Sequence, residues 1–221
     1  MHDISRNAFE HRSTASRVAE FLRRRIADGV LKPGDRIIEL EVAAALGVSR
    51  SPIREALLVL SQEGLVTILA YHGAIVSRLT KDRFEQLLRF RLILEDFAIT
   101  CAANNADDDD IRTFRKHITL IRQASKNGNT LECVEADLYA HKYLIGLAKN
   151  VFLEQSYMET ISLMRMYIRM TSMYYEHSKE LADEHERIVD ALLARDTERA
   201  RIVMREHIEH GFQAAYAALE T

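Results

Sequence analysis

The sequence predicts a mainly α-helical protein, an N-terminal winged helix-turn-helix followed by an all-α bundle of six helices. Three observations carry that expectation. Helix formers dominate a chain of 221 residues that holds only eight Gly and two Pro. Apolar residues recur at helical spacing along most of its length. Near residue 80 the texture changes, from short elements broken by Gly-containing turns to long amphipathic helices. Hydrophobic residues make up 48% of the chain, enough for buried cores, which excludes wholesale disorder. No apolar run approaches the roughly 18 residues of a membrane span, and no signal-like apolar core follows the first charges. Cys101 and Cys133 lie in helical patterns without CxxC spacing. A cytoplasmic protein with reduced thiols and no membrane contact is the expectation.

Residues 15–28 place Val18, Phe21, Leu22 and Ile26 on one stripe, with Arg23, Arg24 and Arg25 mostly off it. Those three cations read equally as phosphate contacts or as a solvated face. Gly29 ends this helix, and Lys32-Pro33-Gly34-Asp35 reads as a turn. A short helix over 39–46 follows, interrupted by Gly47-Val48-Ser49. A third helix is predicted from Pro52 to Gln62, with Ser51 as N-cap and Pro where a missing N–H costs nothing. Gly64 stops it, and Leu65–Leu69 and Ala74–Ser77 read as strands around Tyr71-His72-Gly73. Helix, helix, Gly turn, helix, hairpin is the order of a winged helix-turn-helix, although a generic helical hairpin shares the grammar. Residues 1–79 carry net +2 and residues 80–221 net −5, which suits two domains divided there.

The rear segment predicts helices over 81–104, 108–126, 131–148, 151–176, 179–195 and 197–219. The run Asp107–Asp110 reads as helix N-capping rather than as an acidic ligand cluster. Asp137 and His141 stand four apart on one helix and so share a face. His185 falls in the apolar stripe Leu181, Ile188, Leu192, and His207 falls among Val203, Met204 and Gly211. Polar groups aimed into a bundle interior are costly unless paired or bound. Three imidazoles and one carboxylate make a set suited to a divalent ion, Zn²⁺ or Ni²⁺. Taken singly, each histidine reads more simply as a hydrogen-bonded core residue.

The segment Ser49-Arg50-Ser51-Pro52-Ile53-Arg54-Glu55-Ala56-Leu57, with Glu63-Gly64-Leu65-Val66 behind it and Leu31-Lys32-Pro33-Gly34-Asp35 before it, resembles the GntR family of bacterial transcription regulators. The six-helix remainder is similar to the FCD-type ligand-binding domain of the FadR subfamily, in its shorter VanR-like branch. The resemblance implies a homodimer that binds an inverted-repeat DNA operator and responds to a small carboxylate effector. It assigns Arg50 and Arg54, with Ser49 and Ser51, to the helix end that enters the major groove, where a guanidinium meets guanine or phosphate. It assigns His72 and Gly73 to a wing reaching the minor groove. It raises Asp137, His141, His185 and His207 to a metal set, and it makes Arg91 a contact for an effector carboxylate. On residues alone, Arg91 is equally a salt-bridge partner of Glu95 at i+4. Leu40 stands where the fatty-acid-responsive member carries another base-reading Arg. The rival reading is a metalloenzyme using the Asp/His₃ site, but the chain has no hydrolase motif and no phosphate loop.

Overall fold

The structure is a computed structural model that describes residues 13–70, 73–78, 80–172 and 178–218. His72 lies outside them. The chain divides into two compact units between residues 78 and 79.

The first unit runs α1 (Thr14–Ala27), β1 (Arg36–Ile37), α2 (Glu39–Leu46), α3 (Arg50–Gln62), β2 (Val66–Leu69) and β3 (Gly73–Val76). α1 presents Val18, Ala19, Leu22 and Ile26 to Ile53, Ala56, Leu57 and Leu60 of α3, all buried. Gly47 ends α2 at φ +64°, a left-handed turn that a glycine enters without a Cβ penalty, and the chain reverses there so that α3 packs against α2. Two features differ from expectation. α3 begins at Arg50, with Ser49 rather than Ser51 as its N-cap residue, and the Ser51 hydroxyl donates to Glu55 at 3.2 Å. Pro52 sits in the first helical turn, where the backbone N–H has no acceptor in any case. The hairpin is also joined by a third strand. β1 pairs antiparallel with β3, giving the order β1-β3-β2.

The second unit is built from α4 (Lys81–Asn105), α5 (Asp108–Lys126), α6 (Thr130–Leu147), α7 (Val151–Ser172), α8 (Ser178–Leu193) and α9 (Thr197–Ala218). Asp107 and Asp110 form a reciprocal capping box at the start of α5, so the aspartate run does serve the helix N-terminus. α4 packs on α6 and α9, α5 on α6 and α8, and α8 on α9. The core between them holds Ile99, Ile111, Phe114, Ile118, Ile121, Leu138, Leu144, Ile188 and Leu192. Among the described residues, no helix is long and apolar enough to cross a membrane.

Candidate metal centre and nucleic-acid interface

α6, α8 and α9 each turn polar residues into the apolar core of the second unit. Asp137 and His141 come from α6, His185 from α8 and His207 from α9, and all four are buried. Their ligating atoms lie within 4.8 Å of one another. His141 Nε2 is 3.1 Å from His207 Nε2 and 3.6 Å from Asp137 Oδ1, and His185 Nε2 is 3.3 Å from Asp137 Oδ1. Metal–ligand bonds of about 2.1 Å place neighbouring donors about 3.0 Å apart around an octahedral ion and about 3.4 Å apart around a tetrahedral one. Two of the observed spacings fall in that range and the third, His141 to Asp137, lies just beyond it.

Each histidine is held from behind by its other nitrogen. His141 Nδ1 meets Glu95 Oε2 at 2.6 Å, His207 Nδ1 meets Glu184 Oε2 at 2.8 Å, and His185 Nδ1 donates to the Leu181 carbonyl at 2.8 Å. These bonds leave all three Nε2 atoms facing the centre, as second-sphere carboxylates and carbonyls do in metalloproteins. Among the described residues, Asp137 Oδ1 and His185 Nε2 have no hydrogen-bond partner although fully buried. An unsatisfied buried acceptor is expensive, and a cation between the two removes that cost. The donor set therefore fits a divalent ion.

The electrostatics agree. Burial drives the His185 imidazole down to about 3, so its lone pair is free at neutral pH. Burial also pushes the Asp137 carboxyl up, but the three imidazoles outweigh it and hold the acid ionised. His141 is raised despite its burial, chiefly because of Glu95.

Arg91 on α4 resolves the alternatives left open by its position. Its Nε donates to Glu95 Oε1 at 2.6 Å, so it is the salt-bridge partner of Glu95. Its Nη2 is buried without a partner among the described residues, so the two N–H groups of that nitrogen remain to be satisfied. The hydroxyl of Tyr157, from α7, is likewise buried and without a partner among the described residues. Burial and the charges of Glu95 and Asp137 keep that phenol protonated. Glu95, Glu184 and Tyr157 are members of the site that sequence reasoning did not select. Glu95 and Glu184 stood beside chosen residues at i+4 and i−1, which was a usable signal, whereas Tyr157 gave none. A cavity of about 460 Å³ between α5, α6 and α7 is lined by Tyr139, Lys142, Tyr143 and Gly146 and reaches Tyr157, while none of the four donors lines it.

In the first unit Arg50 and Arg54 stand one turn apart at the start of α3, more than half exposed. Ser49 precedes them. Gly73 is buried, and its missing side chain has an intrachain reason. A Cβ there would stand 2.3 Å from the Ile37 carbonyl oxygen, at φ +81°. Of the α1 arginines, Arg23 is committed to Glu63 and Glu20 and Arg24 to Glu20, while Arg25 lies over the Phe21 ring. The triplet is mainly a structural and solvated face.

A winged helix-turn-helix joined to a helical domain with a buried polar centre defines a DNA-binding regulator with an effector domain. Residues 14–76 match the bacterial regulatory proteins of the gntR family, and residues 86–210 match the FCD domain. The Nta operon transcriptional regulator of Aminobacter aminovorans is 32% identical, over 82% of this chain and 84% of its own. The gluconate operon transcriptional repressor of Bacillus subtilis is 28% identical, over 88% of this chain and 81% of its own. A GntR regulator structure from Rhodococcus sp. RHA1 matches with a TM-score of 0.79 at 25% identity, covering 93% of this chain and 99% of that one. The chain belongs to the GntR family of bacterial transcription regulators and carries a C-terminal FCD domain. It is a DNA-binding regulator and not an enzyme, which disposes of the metalloenzyme alternative.

Proposed function

We propose that this regulator senses a small carboxylate through a divalent metal, Zn²⁺ or Ni²⁺, held by Asp137, His141, His185 and His207. The observation that carries the reading is the pair of orphaned buried atoms, Asp137 Oδ1 and His185 Nε2, inside a cluster whose histidines are all oriented from behind. Four protein donors leave an octahedral ion two positions for an effector. The single carboxylate Asp137 neutralises half of the divalent charge, which favours an anion there. Arg91, through its free Nη2, supplies a second contact, and Tyr157 offers a donor. Gluconate, for which one relative's operon is named, is a carboxylate of this kind.

In the same reading the protein is a cytoplasmic homodimer on an inverted repeat. One winged module covers too little DNA for tight specific binding, and a two-fold pair doubles the contact. Arg50 and Arg54 read bases or phosphate, Ser49 and Ser51 donate to phosphate, and His72 forms the wing contact, with the buried Gly73 beside it letting the chain pass close to Ile37. Because the metal ligands come from three helices, filling the site tightens their packing and shifts the population of dimer geometries.

The test is elemental analysis of purified wild type and His141→Ala, followed by DNA affinity with and without citrate and gluconate. Metal should be present in the wild type and depleted in the variant, with a carboxylate response only in the wild type. Full metal stoichiometry and a normal response in His141→Ala would refute the reading.

A further inference from the structure

The DNA-facing end of α3 does not stand alone. Glu39, the first residue of α2, lies between Arg50 and Arg54, and one of its oxygens serves both. Glu39 Oε2 accepts from Arg50 Nη2 at 2.8 Å and Nε at 3.3 Å, and from Arg54 Nε at 2.8 Å. The glutamate side chain is only 15% exposed, whereas the two arginines are 54% and 60% exposed. The carboxylate is thus the fixed member of the trio. It is anchored in the first turn of α2, where the helix dipole favours an anion, and α2 packs against α3. Burial acts to raise the Glu39 carboxyl, but the hydrogen bonds from Arg50 and Arg54 outweigh it and keep it below the ordinary carboxylate range.

Donor counting separates the two arginines. A guanidinium has five N–H donors in a rigid fork. Arg54 spends one, on Nε, and keeps the four on its two terminal nitrogens, the edge that matches guanine O6 and N7. Arg50 gives Glu39 a side edge and keeps fewer donors. The trio carries net +1 rather than +2.

We propose that Glu39 is a specificity-determining positioning residue, which aims the terminal edge of Arg54 at the DNA and cancels one of the two positive charges there. The inference rests on the reading that Arg50 and Arg54 face DNA. Two effects follow, and both separate operator from random sequence. Holding Arg54 in one rotamer means less conformational freedom is lost when it meets its base. Cancelling a charge weakens the attraction to phosphate that every sequence offers equally.

The full-length chain is used to select sites from a randomised duplex library. Affinity for the enriched duplex and for a scrambled duplex is then measured from 50 to 300 mM KCl. Glu39→Gln should bind the scrambled duplex more tightly and steepen its salt dependence by about one unit of slope. The ratio of specific to random affinity should fall about fivefold or more, the low end of what one bidentate base contact supplies. Glu41→Gln removes the same charge from the exposed side of α2, and should leave ratio and slope unchanged. Circular dichroism establishes that each variant is folded. If Arg54→Ala loses discrimination while Glu39→Gln behaves as wild type, or if Glu41→Gln matches Glu39→Gln, the role of Glu39 is overturned and the DNA reading survives. If Arg50→Ala and Arg54→Ala both leave binding to the two duplexes unchanged, the reading of α3 and the inference fall together.

Discussion

Glu95 is the joint of the buried centre, and replacing it with Gln isolates its charge. One oxygen accepts from Arg91 Nε and the other meets His141 Nδ1, both at 2.6 Å, and the side chain is fully buried. Gln keeps the shape and an acceptor but leaves the Arg91 guanidinium inside the bundle without its nearest counter-charge. Breaking a buried ion pair from one side costs about 3–5 kcal/mol. With a urea dependence of about 2 kcal/mol per molar for a domain of this size, the midpoint of the helical unit should drop by about 2 M. Metal-free protein is unfolded in urea and followed by circular dichroism at 222 nm. The neighbouring Asp96 provides the control. It meets Arg201 through two bonds of 2.9 and 3.0 Å at the surface, and Asp96→Asn should move the midpoint far less. The pH dependence gives a second reading. Burial pushes the Glu95 carboxyl up, yet Arg91 and His141 pull it down to about 2, so its stabilisation is complete above the ordinary value near 4.5. It is lost as pH falls from there toward 2, and the gap between wild type and Glu95→Gln should close over that window. A midpoint shift below about 0.5 M at pH 7 would refute the assignment of Glu95 as the counter-charge of Arg91.

The raised pKa of His141 means that a proton competes with the metal for that imidazole. Zinc affinity, read by competition with a chelating dye, should therefore fall steadily below that pKa, by up to about tenfold per pH unit for the one displaced proton, and a flat profile between pH 5 and 8 would contradict it. Gly73→Ala forces a Cβ against the Ile37 carbonyl at a left-handed φ, so thermal unfolding of the winged unit should show a loss of about 2 kcal/mol or more. Arg54→Lys keeps the charge and loses the fork; in fluorescence anisotropy it should retain the salt slope while losing about 1–3 kcal/mol of discrimination between enriched and scrambled duplex.

Local rules made most of the elements legible. Period-3.6 stripes located the helices, Gly47 marked the left-handed end of α2, and the Asp107–Asp110 run marked the start of α5, because each signal is confined to a few neighbouring residues. The i, i+4 spacing of Asp137 and His141 likewise placed two donors on one face of α6 before any tertiary contact was known. Strand β1 was not legible. Two residues, Arg36 and Ile37, carry no periodicity, and they become a strand only because β3 offers an edge to pair with.

The remaining decisions needed the folded chain. Sequence alone determined that Asp137, His141, His185 and His207 lie on helices with apolar stripes. Only the packing of α6, α8 and α9 brought their donors within one coordination sphere and set Glu95 and Glu184 behind two of the histidines. Arg23 could be written as a phosphate contact until Glu63, forty residues later, was found against it. Arg50 and Arg54 could be placed on one helix face, but Glu39 reaches both only because the turn at Gly47 folds α2 back across the start of α3. Helical periodicity is a property of adjacent residues and is written in their order. The partner of a charge across the core depends on the path of the whole chain, so it is decided where the helices pack.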